Sequence, residues 1–231
     1  MQVVVLAGGL GTRLRPITET VPKPMVEVGG QPFLEYIVRH LAAQGFREVL
    51  VLLGYLGSQI QEYFGDGTDF GVRMQYSFEA VPMGTAGAIC SAHELLEGDF
   101  LVLYGDSYLP IDYRPVTAAF RQLPCLGLIV VYDNRLASTG VVNNVAADDE
   151  GWVTRYEKGT GAPGLDYVEA GVLCFRRELF EGLAPGGFVS LEKTVYPQLI
   201  GRRQLRAFIT PQRFYDIGTP ERLEEFVAAR K

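Results

Sequence analysis

The sequence predicts an α/β fold, a mixed and mostly parallel sheet flanked by helices. Two observations predict it. Wholly apolar runs alternate with segments of helical period through the first half of the chain. The runs "VVVLAGG" and "FLVLYGD" end in glycine or aspartate, as strands do where a parallel sheet opens onto a ligand.

The elements follow in order. "VVVLAGG" reads as a buried strand entering a glycine turn. Residues 32–44 space Phe33, Leu34, Ile37, Val38 and Leu41 for a helix, with Gly45 as its stop. "EVLVLLG" is a second buried strand, "SQIQEYFG" a short helix, and "VRMQYSFE" an alternating strand. Residues 84–97 read as a helix opening on glycine and threonine, and "FLVLYGD" as a strand ending in Asp106. The second half is richer in strand: "LGLIVVY", "GWVTRYEK", "YVEAGVLCF" and "QLRAFIT". Helices fall at about 190–200 and 220–230, the latter opened by Thr219-Pro220-Glu221, a cap, a first-turn proline and an acid at the positive helix end. No linker, repeat or low-complexity stretch divides the chain, so residues 1–231 are expected to form a single domain.

Composition narrows the function. The net charge is −6 and no long Lys/Arg run occurs, which argues against a nucleic-acid partner. No stretch approaches the roughly 18 unbroken apolar residues of a membrane helix, and no signal-peptide pattern opens the chain. Cys90, Cys125 and Cys174 are odd in number and match no zinc or redox spacing. They read as buried free thiols, which points to the cytoplasm. His40 and His93 both fall on expected helices, so no Ser–His–Asp triad is expected.

The chemistry concentrates in "LAGGLGTRLRPITETVPKPM". The pattern Gly8-Gly9-Leu10-Gly11-Thr12-Arg13 is no Walker A loop, and Leu14 stands where a dinucleotide fingerprint needs its third glycine. Its physical content survives both mismatches. Glycines let backbone N–H groups close on an anion, and Arg13 offers a planar fork to phosphate oxygens. Pro22 and Pro24 flank Lys23. Pro24 is expected to drive Lys23 toward extended geometry and so direct its ammonium.

These residues resemble a family. "LAGGLGTRLRP" followed by "PKPM" is similar to the signature of the sugar-1-phosphate nucleotidyltransferases, the NDP-sugar pyrophosphorylases. The resemblance continues in family order through "VGGQPFLEYIVRHL", "EAVPMGTAGAI", "VLYGD", "YEKG", "EAGVLCF" and "YDIGTPERL", nearly the whole chain. "PFLEYIV", "SLEKTVYPQLI" and the short length look most like the subgroup of heptose-1-phosphate guanylyltransferases; muramate-1-phosphate uridylyltransferases are similar in size.

The resemblance implies a Rossmann-like nucleotide-diphospho-sugar transferase fold and a Mg²⁺-dependent reaction. A nucleotidyl group passes from an NTP to a sugar 1-phosphate, and pyrophosphate leaves. It places Gly8, Gly9, Gly11, Thr12 and Arg13 on the triphosphate, with Arg13 facing the leaving pyrophosphate. Leu6, Ala7, Pro82, Gly84, Thr85, Ala86 and Gly105 join them on the nucleotide. Lys23 neutralises the α-phosphate, and Asp106 and Asp216 hold the metal. Asn144, Glu157, Lys158, Glu169, Ala170 and Gly171 fall on the sugar phosphate. Glu79, just before the base-contacting segment, carries a carboxylate able to accept both N1–H and N2–H of guanine, a hint of GTP.

Departures leave alternatives open. "STGVVNNV" stands where the family often has an Arg/Tyr-Gly pair, and Tyr104 replaces a smaller or polar residue. A uridylyl- or cytidylyltransferase on another sugar 1-phosphate is the neighbouring reading. A glycosyltransferase is disfavoured because "GDSY" lacks the second aspartate of Asp-x-Asp. A non-catalytic nucleotide sensor is the alternative from another class.

Overall fold

The computed structural model describes residues 1–181 and 187–230. Seven strands form the central sheet: β1 (Gln2–Ala7), β2 (Glu48–Leu53), β3 (Arg73–Phe78), β4 (Phe100–Tyr104), β5 (Gly127–Tyr132), β6 (Val168–Phe175) and β7 (Leu205–Thr210). They lie in the order β7-β5-β6-β4-β1-β2-β3. All neighbours are parallel except β6, which runs antiparallel to both β4 and β5. This is the mixed, mostly parallel sheet that the sequence predicts.

Both faces of the sheet are covered, which is why the central strands read as unbroken apolar runs. Successive side chains point to opposite faces. Val3 and Val5 of β1 therefore meet one core layer, with Phe33, Ile37 and Leu41 of helix α1 (Phe33–Ala43). Val4 enters the other, with Ala88 and Ile89. Helices α2 (Gly57–Phe64) and α3 (Gly84–Ser91) follow β2 and β3. Helices α4 (Tyr113–Gln122), α5 (Glu178–Glu181), α6 (Tyr196–Gly201) and α7 (Pro220–Ala229) complete the set among the described residues.

Three details differ from expectation. The helix expected over 84–97 stops at Ser91 and gives way to a 3-10 turn at His93–Leu95. Gln2 explains the break: its amide donates to Leu95 O (2.9 Å) and accepts from Glu97 N–H (3.1 Å), steering the chain into β4. Helix α4 is absent from the sequence reading. Asp112 caps it by accepting from Arg114 N–H, and Pro115 sits in its first turn, where no N–H is needed. Lys23 is not extended. It opens a 3-10 turn (Lys23–Met25) closed by Met25 N–H to Pro22 O and Val26 N–H to Lys23 O. Pro24 lies inside that turn at a position that donates no bond.

Candidate active site

Strands β1, β2 and β4 are parallel, so their carboxyl ends open along one edge of the sheet. A cavity of about 350 Å³ lies there, floored by Leu6, Ala7, Gly8 and Gly9. The two glycines do different work. A Cβ on Gly8 would meet Glu79 Oε1 at 2.8 Å and Gly54 N at 3.3 Å, so Gly8 is required by close packing of the strand ends. A Cβ on Gly9 would meet nothing within 4 Å, so Gly9 offers bare backbone to the cavity itself. Gly11 takes a left-handed φ of 61° to start the turn Thr12–Leu14, and Thr12 and Arg13 are exposed.

The far wall carries Glu79, Pro82, Gly84, Thr85 and Ala88. The segment is strapped to residue 189: Val189 N–H donates to Met83 O, while Ala86 and Gly87 N–H donate to Val189 O. Gly84 (φ 74°) permits this, because a Cβ would stand 2.6 Å from Val189 O. Ala86 is fully buried behind the wall. Glu79 has one oxygen occupied by Met83 N–H (2.7 Å), and burial holds its carboxyl above the usual range. Gly105 donates to Leu6 O (2.9 Å) and turns the chain from β4 to Asp106.

A second cavity of about 320 Å³ shares Tyr104, Asp106 and Lys158 with the first. The junction is strongly charged. Lys23, 10% exposed at its side chain, pairs with Asp106 at 2.5 Å. Residues 215–216 pair antiparallel with 107–108, setting Asp216 opposite Ser107 beside Asp106. Arg222 Nη1 donates to Asp216 Oδ2 (2.7 Å). Burial raises the Asp106 carboxyl, but Lys23, Ser107 and Lys158 outweigh it and hold it below the usual range. Burial also raises Asp216, and there the charge of Asp106 adds to the rise against Arg222.

The second cavity is further lined by Arg13, Asn144 and Glu169. Arg13 thus lies on this side rather than against the first cavity. Asn144 Oδ1 accepts from Glu169 N–H (2.9 Å) and fixes the strand. Glu169 Oε1 accepts from Tyr196 Oη (3.2 Å), while Oε2 is buried without a partner, as is Tyr104 Oη. Burial and then the charge of Glu192 push the Glu169 carboxyl up. Glu169 lines the cavity, so this enclosed oxygen leaves unmet hydrogen-bonding capacity beside it.

Gly11, Thr12, Ala86 and Gly105 line neither cavity, and three of the expected sugar-phosphate contacts lie elsewhere too. Glu157 lines neither cavity; it accepts from Arg155 Nε (2.6 Å) and Thr160 Oγ1 (3.2 Å). Ala170 is fully buried in β6. Gly171 (φ 74°) lets β6 pass Ser107, whose Cβ would lie 2.8 Å from an added Cβ. Conversely, Arg222 and Glu192 line the cavities and escaped the sequence reading.

Among the described residues no group of three or more His, Cys, Asp or Glu side chains converges. Asp106 and Asp216 are the available pair. Two neighbouring carboxylates, one raised by burial and further by the other's charge, form a hard oxygen donor set that a cation would relieve. Mg²⁺ usually takes one or two carboxylates and completes its shell from phosphate oxygens and water. The residues present fit that ion.

Comparison with known proteins agrees with the geometry. The nucleotidyl transferase family model matches residues 2–230. The chain belongs to the sugar-1-phosphate nucleotidyltransferases. It is 33% identical to the D-glycero-α-D-manno-heptose 1-phosphate guanylyltransferase of Campylobacter jejuni, over 98% of this chain and 99% of that protein. It is 32% identical to the mannose-1-phosphate guanylyltransferase of Mycobacterium tuberculosis, but spans only 62% of its length. The crystal structure of HddC from Yersinia pseudotuberculosis superposes with a TM-score of 0.84 at 29% identity, covering 100% of this chain and 99% of that one. Family membership makes this chain an enzyme.

Proposed function

We propose that the enzyme transfers a guanylyl group from GTP to a heptose 1-phosphate, releasing pyrophosphate. The observation that carries the transfer is the shared wall of two cavities: Tyr104, Asp106 and Lys158 belong to both, with Lys23 paired to Asp106. A nucleotide in the first and a sugar phosphate in the second would bring their phosphates together there. GTP rests on Glu79, which lines the first cavity; Met83 N–H occupies Oε2, so Oε1 is the oxygen left to accept from the guanine edge. The heptose is favoured by full-length similarity to a heptose 1-phosphate guanylyltransferase.

In this reading an oxygen of the sugar phosphate attacks the α-phosphorus of the NTP. The new P–O bond forms as the bond to the β-phosphate oxygen breaks, and pyrophosphate carries away the electron pair. No protein nucleophile is required, so catalysis is positioning and charge neutralisation. Backbone at Gly8 and Gly9 seats the triphosphate. Lys23 neutralises the α-phosphate oxygens, Lys158 holds the attacking phosphate, and Glu169 accepts from sugar hydroxyls. Mg²⁺, held by Asp106 and Asp216, would supply positive charge against the phosphate oxygens. Arg13, on the second-cavity side, would reach phosphate from there.

No helix among the described residues is long and apolar enough to cross a membrane. Cys90, Cys125 and Cys174 are buried and free, which supports cytoplasmic placement. A sheet that draws strands from both halves of the chain supports one domain. The test is pyrophosphate release over GTP, UTP, CTP, dTTP and ATP against hexose, heptose and amino-sugar 1-phosphates. GTP with a heptose 1-phosphate is the expected productive pair. A different pair would replace the substrates, and no release with any pair would overturn the transfer reading.

A further inference from the structure

The stretch "SLEKTVYPQLI" carries no role in the reaction described above, yet it places a buried acid in the wall of the first cavity, paired to a lysine that lines both. Glu192 lies on the helical turn Leu191–Val195 that runs into α6. Its side chain is 11% exposed. Oε2 accepts from two hydroxyls, Ser190 Oγ (2.8 Å) and Thr85 Oγ1 (3.1 Å). Thr85 Oγ1 in turn accepts from Leu191 N–H (2.8 Å), so its proton is committed to Glu192. The carboxylate is therefore fixed on one side. Oε1 accepts from Lys158 Nζ at 2.8 Å.

Lys158 differs from its partner. Its side chain is 65% exposed. A free lysine samples many rotamers, and ordering it costs entropy on every binding event. Yet Lys158 lines both cavities, at the point where two phosphates would meet. Among the described residues its hydrogen-bonded anchor is Glu192.

We propose that Glu192 is a positioning residue. It holds the Lys158 ammonium at the junction and ties it, through Thr85, to the wall of the first cavity. Capture of the sugar phosphate thereby depends on the nucleotide-side segment being in place. This rests on the nucleotidyl-transfer reading. It assigns Glu192 no contact with substrate; its effect passes through Lys158.

The opposite role is physically open, which makes the assignment testable. A carboxylate near a phosphate site repels the anion and competes for the lysine. Under positioning, Glu192→Gln raises KM for the sugar 1-phosphate about tenfold, while KM for the NTP changes less than about threefold. In a Lys158→Ala background the same change adds less than about twofold, because nothing remains to position. An unchanged sugar-phosphate KM, or a full further loss without Lys158, would overturn the assignment. Should Glu192→Gln not fold, Ser190→Ala decides the matter: it removes one of the two hydroxyls that hold Oε2, so KM for the sugar phosphate must still rise. Calorimetry with inorganic phosphate needs no turnover. Binding weakened in Glu192→Gln supports positioning; binding unchanged or tightened contradicts it. No pyrophosphate release by the wild type with any pair, together with phosphate binding that Glu192→Gln still weakens, would sink the transfer reading and leave the positioning one standing.

Discussion

The two cavities are built in different ways. The first has a floor shaped by backbone: the end of β1, with Gly8 packed against Gly54, and a wall set by the strapped segment at Met83–Gly87. The second is made of side chains from far apart in sequence, with Arg13, Asn144, Glu169, Asp216 and Arg222 converging on Asp106. A backbone site needs small residues next to one another. A side-chain site needs only that the fold bring charges together. The first therefore advertises itself as a contiguous motif, and the second does not.

The largest effect is expected where both constructions meet. Lys23→Ala removes the cation shared by the junction and should lower kcat by ~10²–10³-fold, as loss of a transition-state charge contact typically does. A pre-steady-state assay of pyrophosphate release checks it. A loss confined to KM would move Lys23 from chemistry to simple binding.

Next comes a contrast inside the first cavity. Gly8→Ala forces a Cβ against Glu79 and Gly54 and should cost about 1–3 kcal/mol of stability, read by denaturant melts. Gly9→Ala has open space and should leave stability within about 0.5 kcal/mol. It should still raise the NTP KM, because the methyl intrudes on the space left for phosphate. If both variants lose stability alike, the division between packing glycine and ligand glycine fails.

The second cavity yields the reverse trade. Glu169 is buried, with an unpartnered oxygen and a folded-state pKa raised by burial and by Glu192. The native state therefore holds this proton more tightly than the unfolded chain. Its contribution to stability falls as pH rises from the ordinary glutamate range through the raised value. Glu169→Gln removes that penalty. It should raise stability at pH 7 by about 1 kcal/mol, seen as roughly 2–4 °C in Tm, with a smaller gain near pH 4. Sugar-phosphate kcat/KM should fall by about tenfold or more. A lower Tm at pH 7 would show that the carboxylate is satisfied in the native state.

The smallest expected effect concerns the base. Glu79→Gln keeps the size but replaces an acceptor by a donor at one position. The preference for GTP over UTP should drop by about fivefold to tenfold, measured as a ratio of kcat/KM values. An unchanged ratio would remove Glu79 from base selection.

The same contrast explains what was legible beforehand. Every strand of the central sheet is visible: the inner strands as apolar runs, because both faces are covered there, and the edge strand β3 by its polar alternation. Helix α4 is not, since Pro115 masks its first turn and Asp112 sits among turn residues. Lys23 is visible for its flanking prolines, although its turn geometry is not. Glu157 lines neither cavity, and a local partner accounts for its place. Arg155 lies two positions earlier, on the same side of the extended chain, and captures the carboxylate locally. Arg222 and Glu192 escape because what marks each is its partner. Asp216 lies across a helix cap from Arg222, and Lys158 lies 34 residues from Glu192.

The central claim is that the shared wall of the two cavities is a single reaction centre. The most direct test is the rate of pyrophosphate release from GTP, with and without a heptose 1-phosphate, in wild type and in Lys23→Ala. The account predicts release only when both substrates are present and its near-loss in the variant. Release from GTP alone, or an undiminished rate without Lys23, would contradict it.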